Sequence, residues 1–350
     1  MILAGDIGGT KTHLALFEWK QGRVDPIRAE SFHSTDYAAL DEMLEEFLTP
    51  PKPPTPLAGI DTSGDETQPP PAQDPPRIEA ACFGIAGPVI ENHSQTTNLP
   101  WIVDGADLEK RFDIPTVRLL NDLEATAHGL LLLRSEELHT LNIGTPPVQK
   151  QAIALIAAGT GLGEAILFWD GTRYRPMPSE GGHADFAPNN DQEIELLRHV
   201  RTQYLHVSYE RVLSGPGILA IYEYLRDTKK NEPTWLAEKI AVGDPAAEIA
   251  EAGLKGQAEI AKQTLDLFAS IYGAEAGNLA LKAMALNGVY IGGGIAPKLL
   301  TKLKDGTFMK AFTNKGRYKR LMSSIPVHII LNDRTGLLGA ASVAARLAQE

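Results

Sequence analysis

Four short polar stretches carry side chains able to do chemistry on a small molecule: Asn121-Asp122, Glu180-Gly181-Gly182-His183, Ser208-Tyr209-Glu210-Arg211, and Asn98 within Thr97-Asn98-Leu99-Pro100-Trp101. Asp122 directly follows an apolar run, residues 117–120. A carboxylate at the end of such a run is half-desolvated, which suits a general base. The competing reading of Asn121-Asp122 is a helix N-cap. Glu180 and His183 bracket two glycines, so their side chains can converge over a tight turn. Three carboxylates (Asp122, Glu180, Glu210), the amides of Asn98 and Asn121, and one imidazole make a set suited to a polyol. Adjacent sugar hydroxyls can both donate to one carboxylate. A metal site competes, because Glu-x-x-His ligates metals from a helix, but two glycines disfavour a helix here.

These groups need elements to position them, and two glycine-rich hairpins are the clearest. In the first, an apolar run ends in Asp6, Gly8-Gly9-Thr10 turns, and a second run leads away from Lys11-Thr12. In the second, residues 152–156 and 165–169 flank Gly159-Thr160-Gly161-Leu162-Gly163. Both read as strand, glycine turn, strand. Glycine lets backbone N–H groups converge on an anion with no Cβ in the way. Two such turns are therefore candidate phosphate grips, although either alone also suits a hairpin with no ligand. The dinucleotide fingerprint fails, because Glu164 stands where its last glycine belongs and a strand follows. No G-x-x-x-x-G-K-[ST] loop occurs. A third cluster, Gly292-Gly293-Gly294, follows an apolar run and could admit a base or ribose to Gly293 and Gly294.

The chain has 350 residues, 43% of them hydrophobic, enough for one large or two ordinary domains. A net charge of −11 argues against nucleic acid as a partner. The single cysteine, Cys82, excludes an intrachain disulfide and a thiolate zinc cage, and it reads as a buried core residue. No signal peptide and no apolar stretch near 18 residues is seen, so a cytoplasmic protein with no membrane span is expected.

Strand-like runs occur at 2–6, 12–19, 80–86 and 116–120, with a helix at about 36–48 and another starting after Asn121-Asp122. Later helices are expected at about 191–205, 215–227, 245–275 and 275–287. Residues 50–76 hold ten of the 24 prolines and lack apolar periodicity, which reads as a surface loop or disordered insertion. The alanine-rich tail, 337–347, is amphipathic and is expected to pack back on the first half.

Asp6-Ile7-Gly8-Gly9-Thr10, Leu120-Asn121-Asp122, Ala158-Gly159-Thr160-Gly161-Leu162-Gly163, Glu180-Gly181-Gly182-His183, Glu210-Arg211-Val212-Leu213-Ser214-Gly215 and Gly292-Gly293-Gly294-Ile295 occur in this order. Together they resemble the bacterial glucokinase family of the sugar kinase, heat-shock ATPase and actin superfamily. The resemblance implies an α/β fold of two ribonuclease-H-like (actin-like ATPase) domains with an interdomain cleft. Residues 1–132 plus 331–350 would form the smaller domain and 133–330 the larger. It implies ATP-dependent phosphorylation of glucose at its 6-hydroxyl, with Mg²⁺ as cofactor and a homodimer as assembly. Asp122 matches the catalytic base. Asn121, Glu180, His183 and Glu210 match sugar ligands, and Asn98 lines the sugar pocket. Asp6, Gly8, Gly9 and Thr10, with Lys11 beside them, match the first phosphate loop, Asp6 lying near the metal through water. Gly159, Thr160 and Gly161 match the second. The related repressor-type sugar kinases carry a cysteine-rich zinc motif after the equivalent histidine, which this chain lacks, so His183 reads as a sugar contact. A hexokinase of broader range and a sugar-sensing regulator are the alternatives; the regulator needs a DNA-reading module, which the acidic charge and an opening strand disfavour.

Overall fold

A computed structural model describes residues 1–18, 25–49, 77–96, 99–229 and 231–350. The proline-rich segment 50–76 and Asn98 lie outside the described residues. The chain divides into two compact units, Met1–Leu132 with Gly336–Glu350, and Leu133–Thr335.

The first unit contains β1 (Ile2–Ile7), β2 (Lys11–Phe17), β3 (Arg28–His33), β4 (Ala80–Ile85), β5 (Val89–Ile90), β6 (His93–Gln95), β7 (Ile102–Asp104) and β8 (Val117–Asn121). Its main sheet has the order β3-β2-β1-β4-β8, and β5, β6 and β7 form a small separate sheet. β1 pairs antiparallel with β2 but parallel with β4, which pairs parallel with β8. The continuous apolar runs of β1 and β4 reflect burial on both faces. Leu3, Ile7, Phe83 and Ile85 pack on Met43, Leu44 and Phe47 of the helix Leu40–Leu48. Ile2, Ala4 and Cys82 face Leu337, Ala340 and Ala344 of the helix Thr335–Leu347, so the tail packs on the first strands. Each large apolar side chain so buried contributes roughly 1.5–3 kcal/mol.

The second unit contains β9 (Leu138–Asn142), β10 (Ile153–Ala158), β11 (Leu162–Trp169), β12 (Tyr174–Ser179), β13 (Val289–Gly292) and β14 (Val327–Ile330), in the order β12-β11-β10-β13-β14-β9. Apart from β9, added antiparallel at the edge, this repeats the first sheet: two antiparallel pairings, then two parallel ones. In sheets of this kind ligands bind beyond the carboxyl ends of the parallel strands. Residues 8–10 follow such an end in the first unit, and Asn121-Asp122 straddle another. Residues 159–161 and 293–294 follow them in the second, and residues 180–183 follow β12, which pairs only antiparallel but runs the same way as β10.

Three helix expectations are corrected. The expected helix 191–205 stops at Val200. The expected helix 245–275 is two, Pro245–Leu254 and Glu259–Ala283, parted at Gly256, whose φ of +64° no helix accommodates. No helix starts at 275, because Glu259–Ala283 runs straight through Glu275 and ends only where Met284 turns left-handed. The helix Thr234–Val242 has no counterpart among the expected elements.

Candidate active site

In the first unit the turn after Asp6 is closed by the Gly8 N–H, which donates to the Lys11 carbonyl at 3.0 Å. Ser34, just past β3, braces it from beneath. Its N–H donates to the Thr10 carbonyl (3.0 Å), its hydroxyl donates to the Gly8 carbonyl (2.7 Å), and that hydroxyl also meets the buried Thr12 hydroxyl (3.0 Å). Gly8 and Gly9 are half-buried, while Thr10 and Lys11 are exposed. Asp6 lies against the first turn of Thr335–Leu347, where a Cβ on Gly336 would come within 2.9 Å of its Oδ2. A helix start favours a carboxylate.

Asn121 is the N-cap of the helix Asp122–Leu130, so the capping alternative describes it. Its Oδ1 accepts the N–H groups of Leu123 (2.9 Å) and Glu124 (3.4 Å), and its Nδ2 donates to the Gly87 carbonyl at 3.1 Å. Asp122 is the first helical residue, half-buried, with Oδ1 accepting the Leu123 N–H at 2.8 Å. That bond fixes the carboxylate's rotamer at the carboxyl end of β8.

The second unit brings Glu180, His183 and Glu210 together. Residues 181–183 form a single tight helical turn after β12, despite the two glycines, and Tyr209–Arg211 forms another. Two stretches between them zip up antiparallel: Phe186 N–H donates to the Val207 carbonyl (2.9 Å) and Tyr209 N–H to the Ala184 carbonyl (3.0 Å). The imidazole therefore stands between two carboxylates, with Nε2 3.9 Å from Glu180 Oε2 and Nδ1 3.9 Å from Glu210 Oε1. Both gaps exceed a hydrogen bond. The Glu180 and His183 side chains are mostly exposed and present their polar atoms outward, whereas the Glu210 side chain is mostly buried.

Glu210 also touches the second glycine turn. Its Oε2 accepts the Leu162 N–H at 3.0 Å, and a Cβ on Gly161 would lie only 2.5 Å from that oxygen. The turn itself is held by Gly159 N–H to the Gly161 carbonyl (2.9 Å) and by Gly215 N–H to the Gly159 carbonyl (2.8 Å), leaving Thr160 exposed at its tip.

The third glycine cluster has a structural cause that sequence reasoning missed. Gly293 has φ +80°, and a Cβ there would sit 2.2 Å from the Ala158 carbonyl, so the neighbouring strand end demands a glycine. Gly294 is exposed and nothing lies within 4 Å of its Cβ direction. Tyr272, buried in the long helix, receives the Ala158 N–H on its hydroxyl at 3.1 Å and so pins β10 just before its turn. Neither Ser34 nor Tyr272 has a sequence signal, since each acts through one hydroxyl from a distant segment. Among the described residues no three His, Cys, Asp or Glu side chains cluster as a metal cage. No helix among them is long and apolar enough to cross a membrane.

Paired α/β units with five- and six-stranded sheets and glycine turns at their strand ends define the class of actin-like sugar kinases. A crystal structure of glucokinase from an Antarctic psychrotroph superposes with a TM-score of 0.79 at 28% identity, covering 99% of this chain and 98% of that one. A glucokinase of the ROK family from Streptomyces griseus shares the fold at a TM-score of 0.60 and 20% identity. The sequence profile of the family described as Glucokinase matches residues 3–347. A glucokinase of Nostoc punctiforme is 42% identical over 362 residues, 99% of each chain. The chain belongs to the glucokinase family of enzymes.

Proposed function

We propose that the chain transfers the γ-phosphoryl group of ATP to the 6-hydroxyl of glucose, giving glucose 6-phosphate, ADP and a proton. The observation that carries this reading is Glu210, one side chain shared by the polyol-type trio and the second glycine turn. Sugar hydroxyls donate to Glu180 and Glu210 and pair with His183, with Asn121 and Asn98 contributing further contacts. Asp122 takes the 6-hydroxyl proton, a role worth roughly 10²–10⁴-fold. The transition state is loose, so alignment and charge neutralisation dominate. Backbone amides at Gly8, Gly9 and Thr10, with Lys11 beside them, and at Gly159, Thr160 and Gly161, receive the phosphates. Gly293 and Gly294 give the nucleoside a flat approach, for which the open space at Gly294 is the support. A carboxylate near a strand end beside a phosphate-type turn fits Mg²⁺, a hard oxygen-seeking cation that keeps several waters and takes the rest of its ligands from phosphate. Asp6 would hold it through water, and the ion when bound supplies charge neutralisation on the phosphates.

The acidic charge and the lone buried thiol support a cytoplasmic setting, and the family resemblance supports a homodimer, which light scattering checks. The direct test is a coupled assay of glucose, mannose, glucosamine and fructose against ATP, ADP and polyphosphate. Glucose with ATP should give the highest kcat/KM. Absence of turnover for every hexose would end the reading, and equal rates for all four would favour a broad hexokinase.

A further inference from the structure

Glu164, the residue that spoils the dinucleotide fingerprint, lies on β11 beneath the turn that carries Glu180 and His183. Its Oε2 would be 2.1 Å from a Cβ on Gly181. Its partner across the β11–β12 ladder is Ser179, whose hydroxyl accepts the Gly181 N–H at 2.9 Å. The carboxyl is buried and faces that of Glu275, which is also buried, while Oε1 is reached by no N–H donor. Two carboxyls in that relation need a proton between them. From Glu275 the network runs on. Asn278 Nδ2 donates to Glu275 Oε2 at 2.7 Å and to the Tyr209 hydroxyl at 3.0 Å. Tyr209 opens the turn that carries Glu210.

We propose that Glu164 and Glu275 form a positioning pair for the hexose: sharing one proton, they hold the 180–183 and 209–211 turns in the relation that presents Glu180, His183 and Glu210 as a set. This rests on the sugar-binding reading of those three residues. Every charged or titratable group facing the pair bears on the proton. The long helix supplies Lys282, whose Nζ is 3.4 Å from Glu275 Oε1, and Tyr272. The 209–211 turn supplies Tyr209, held well above its ordinary range by burial and by Glu275. Lys315 donates to Asn278 Oδ1 at 2.6 Å and to the Ala274 carbonyl at 2.8 Å, with Glu193 beyond it. Lys282 is more than half exposed, and burial pulls Lys315 down, so neither cation removes the need for the proton. Burial, and then Glu275, pushes Glu164 up to about 8. Below that pH the pair keeps its proton. Above it two facing carboxylates repel and the turns part.

If only the protonated pair is competent, the glucose Kd rises about tenfold between pH 7 and pH 9. Calorimetric titration of the full chain with glucose, without nucleotide, reads this for wild type, E164Q, E275Q and H183A. The expected result is a tenfold rise in wild type and a flat profile in E164Q with its pH 7 affinity kept, kcat at saturating glucose being unchanged. Should E164Q fail to fold by circular dichroism, E275Q carries the same test, since its amide also satisfies a facing carboxylate without a shared proton. A flat wild-type profile, or a variant rising like wild type, overturns the proposal. Unchanged pH 7 affinity in H183A would instead remove the sugar-binding reading, and the proposal with it.

Discussion

Replacing Gly161 with alanine separates the two jobs assigned to Glu210. The new Cβ would sit 2.5 Å from Glu210 Oε2, against about 3.4 Å for an ordinary contact, so the carboxylate must retreat by about 0.9 Å. Nothing else resists the Cβ except the Glu210 Cδ at 3.4 Å, and the backbone at Gly161 is not left-handed. The fold therefore survives, with stability changed by less than about 1–2 kcal/mol, since alanine also lowers unfolded-state entropy. The retreat carries Oε2 off the Leu162 N–H, now at 3.0 Å, beyond hydrogen-bond reach. A carboxylate so released must be re-ordered by the sugar. That costs about 1–2 kcal/mol, or roughly 5- to 30-fold in glucose Kd. Calorimetric titration with glucose alone reads the effect. Gly159→Ala is the matched comparison, because a Cβ there meets nothing within 4 Å. Its glucose affinity should stay within about twofold. A Gly161→Ala protein that binds glucose as wild type does would refute the coupling of trio and turn through Glu210.

Two further outcomes concern the first unit. A Cβ on Gly339 would lie 1.7 Å from the Ala125 carbonyl and 2.6 Å from the Gly129 nitrogen, both backbone atoms that cannot step aside. Gly339→Ala should thus lower stability by about 1–3 kcal/mol through overpacking, read as a fall in Tm; an unchanged Tm would contradict the close helix contact. Cys82 is fully buried, and burial pushes its thiol far up. An aromatic disulfide reagent should release no chromophore from the native protein and one equivalent after denaturation, whereas rapid native reaction would contradict its place in the core.

What was legible in the sequence was the part built from contrast. Both glycine hairpins stand out because apolar runs buried on two faces are cut by glycines, and their turns close locally. β3 carries Arg28, Glu30, Ser31 and His33 on the sheet edge, so its alternation, with Phe32 alone buried, is too weak to register. β12 reads as Tyr-Arg-Pro-Met-Pro-Ser, with two prolines that an edge strand tolerates and a sequence pattern rejects. The break at Gly256 is hidden because apolar spacing continues on both sides of it. The sugar-type residues were legible as types, but their meeting depends on the pairing of residues 184–186 with 207–209, which no local pattern encodes. In the sequence Glu164 stands out only as a misfit in a motif. Its partner, Glu275, looks like any polar residue on a long helix until burial is known.

Of the two further Asn-Asp pairs in the chain, Asn332-Asp333 is the one that separates residue type from position at a strand end. Asn332-Asp333 lies just past β14 as Asn121-Asp122 closes β8, each at the last strand of the repeated five-strand order. Each asparagine does the same job, since Asn332 Oδ1 accepts the Arg334 N–H at 2.8 Å and Asn121 Oδ1 accepts the Leu123 N–H at 2.9 Å. The aspartates differ. Asp122 is half-buried and begins its helix, with Oδ1 fixed by the Leu123 N–H. Asp333 is exposed, and its helix begins two residues later at Thr335. Asn332 is moreover turned to another task, donating from Nδ2 to Glu137 Oε1 at 2.6 Å. A general base needs an oriented, partly desolvated carboxylate, and of these two strand-end pairs Asn121-Asp122 provides one. Asp122→Asn should therefore lower kcat by roughly 10²–10⁴-fold while glucose Kd shifts no more than about threefold. Asp333→Asn should keep kcat within about twofold, as surface changes do. Steady-state rates and glucose titrations on the two variants decide the matter, and turnover surviving in Asp122→Asn would mean that another group accepts the proton.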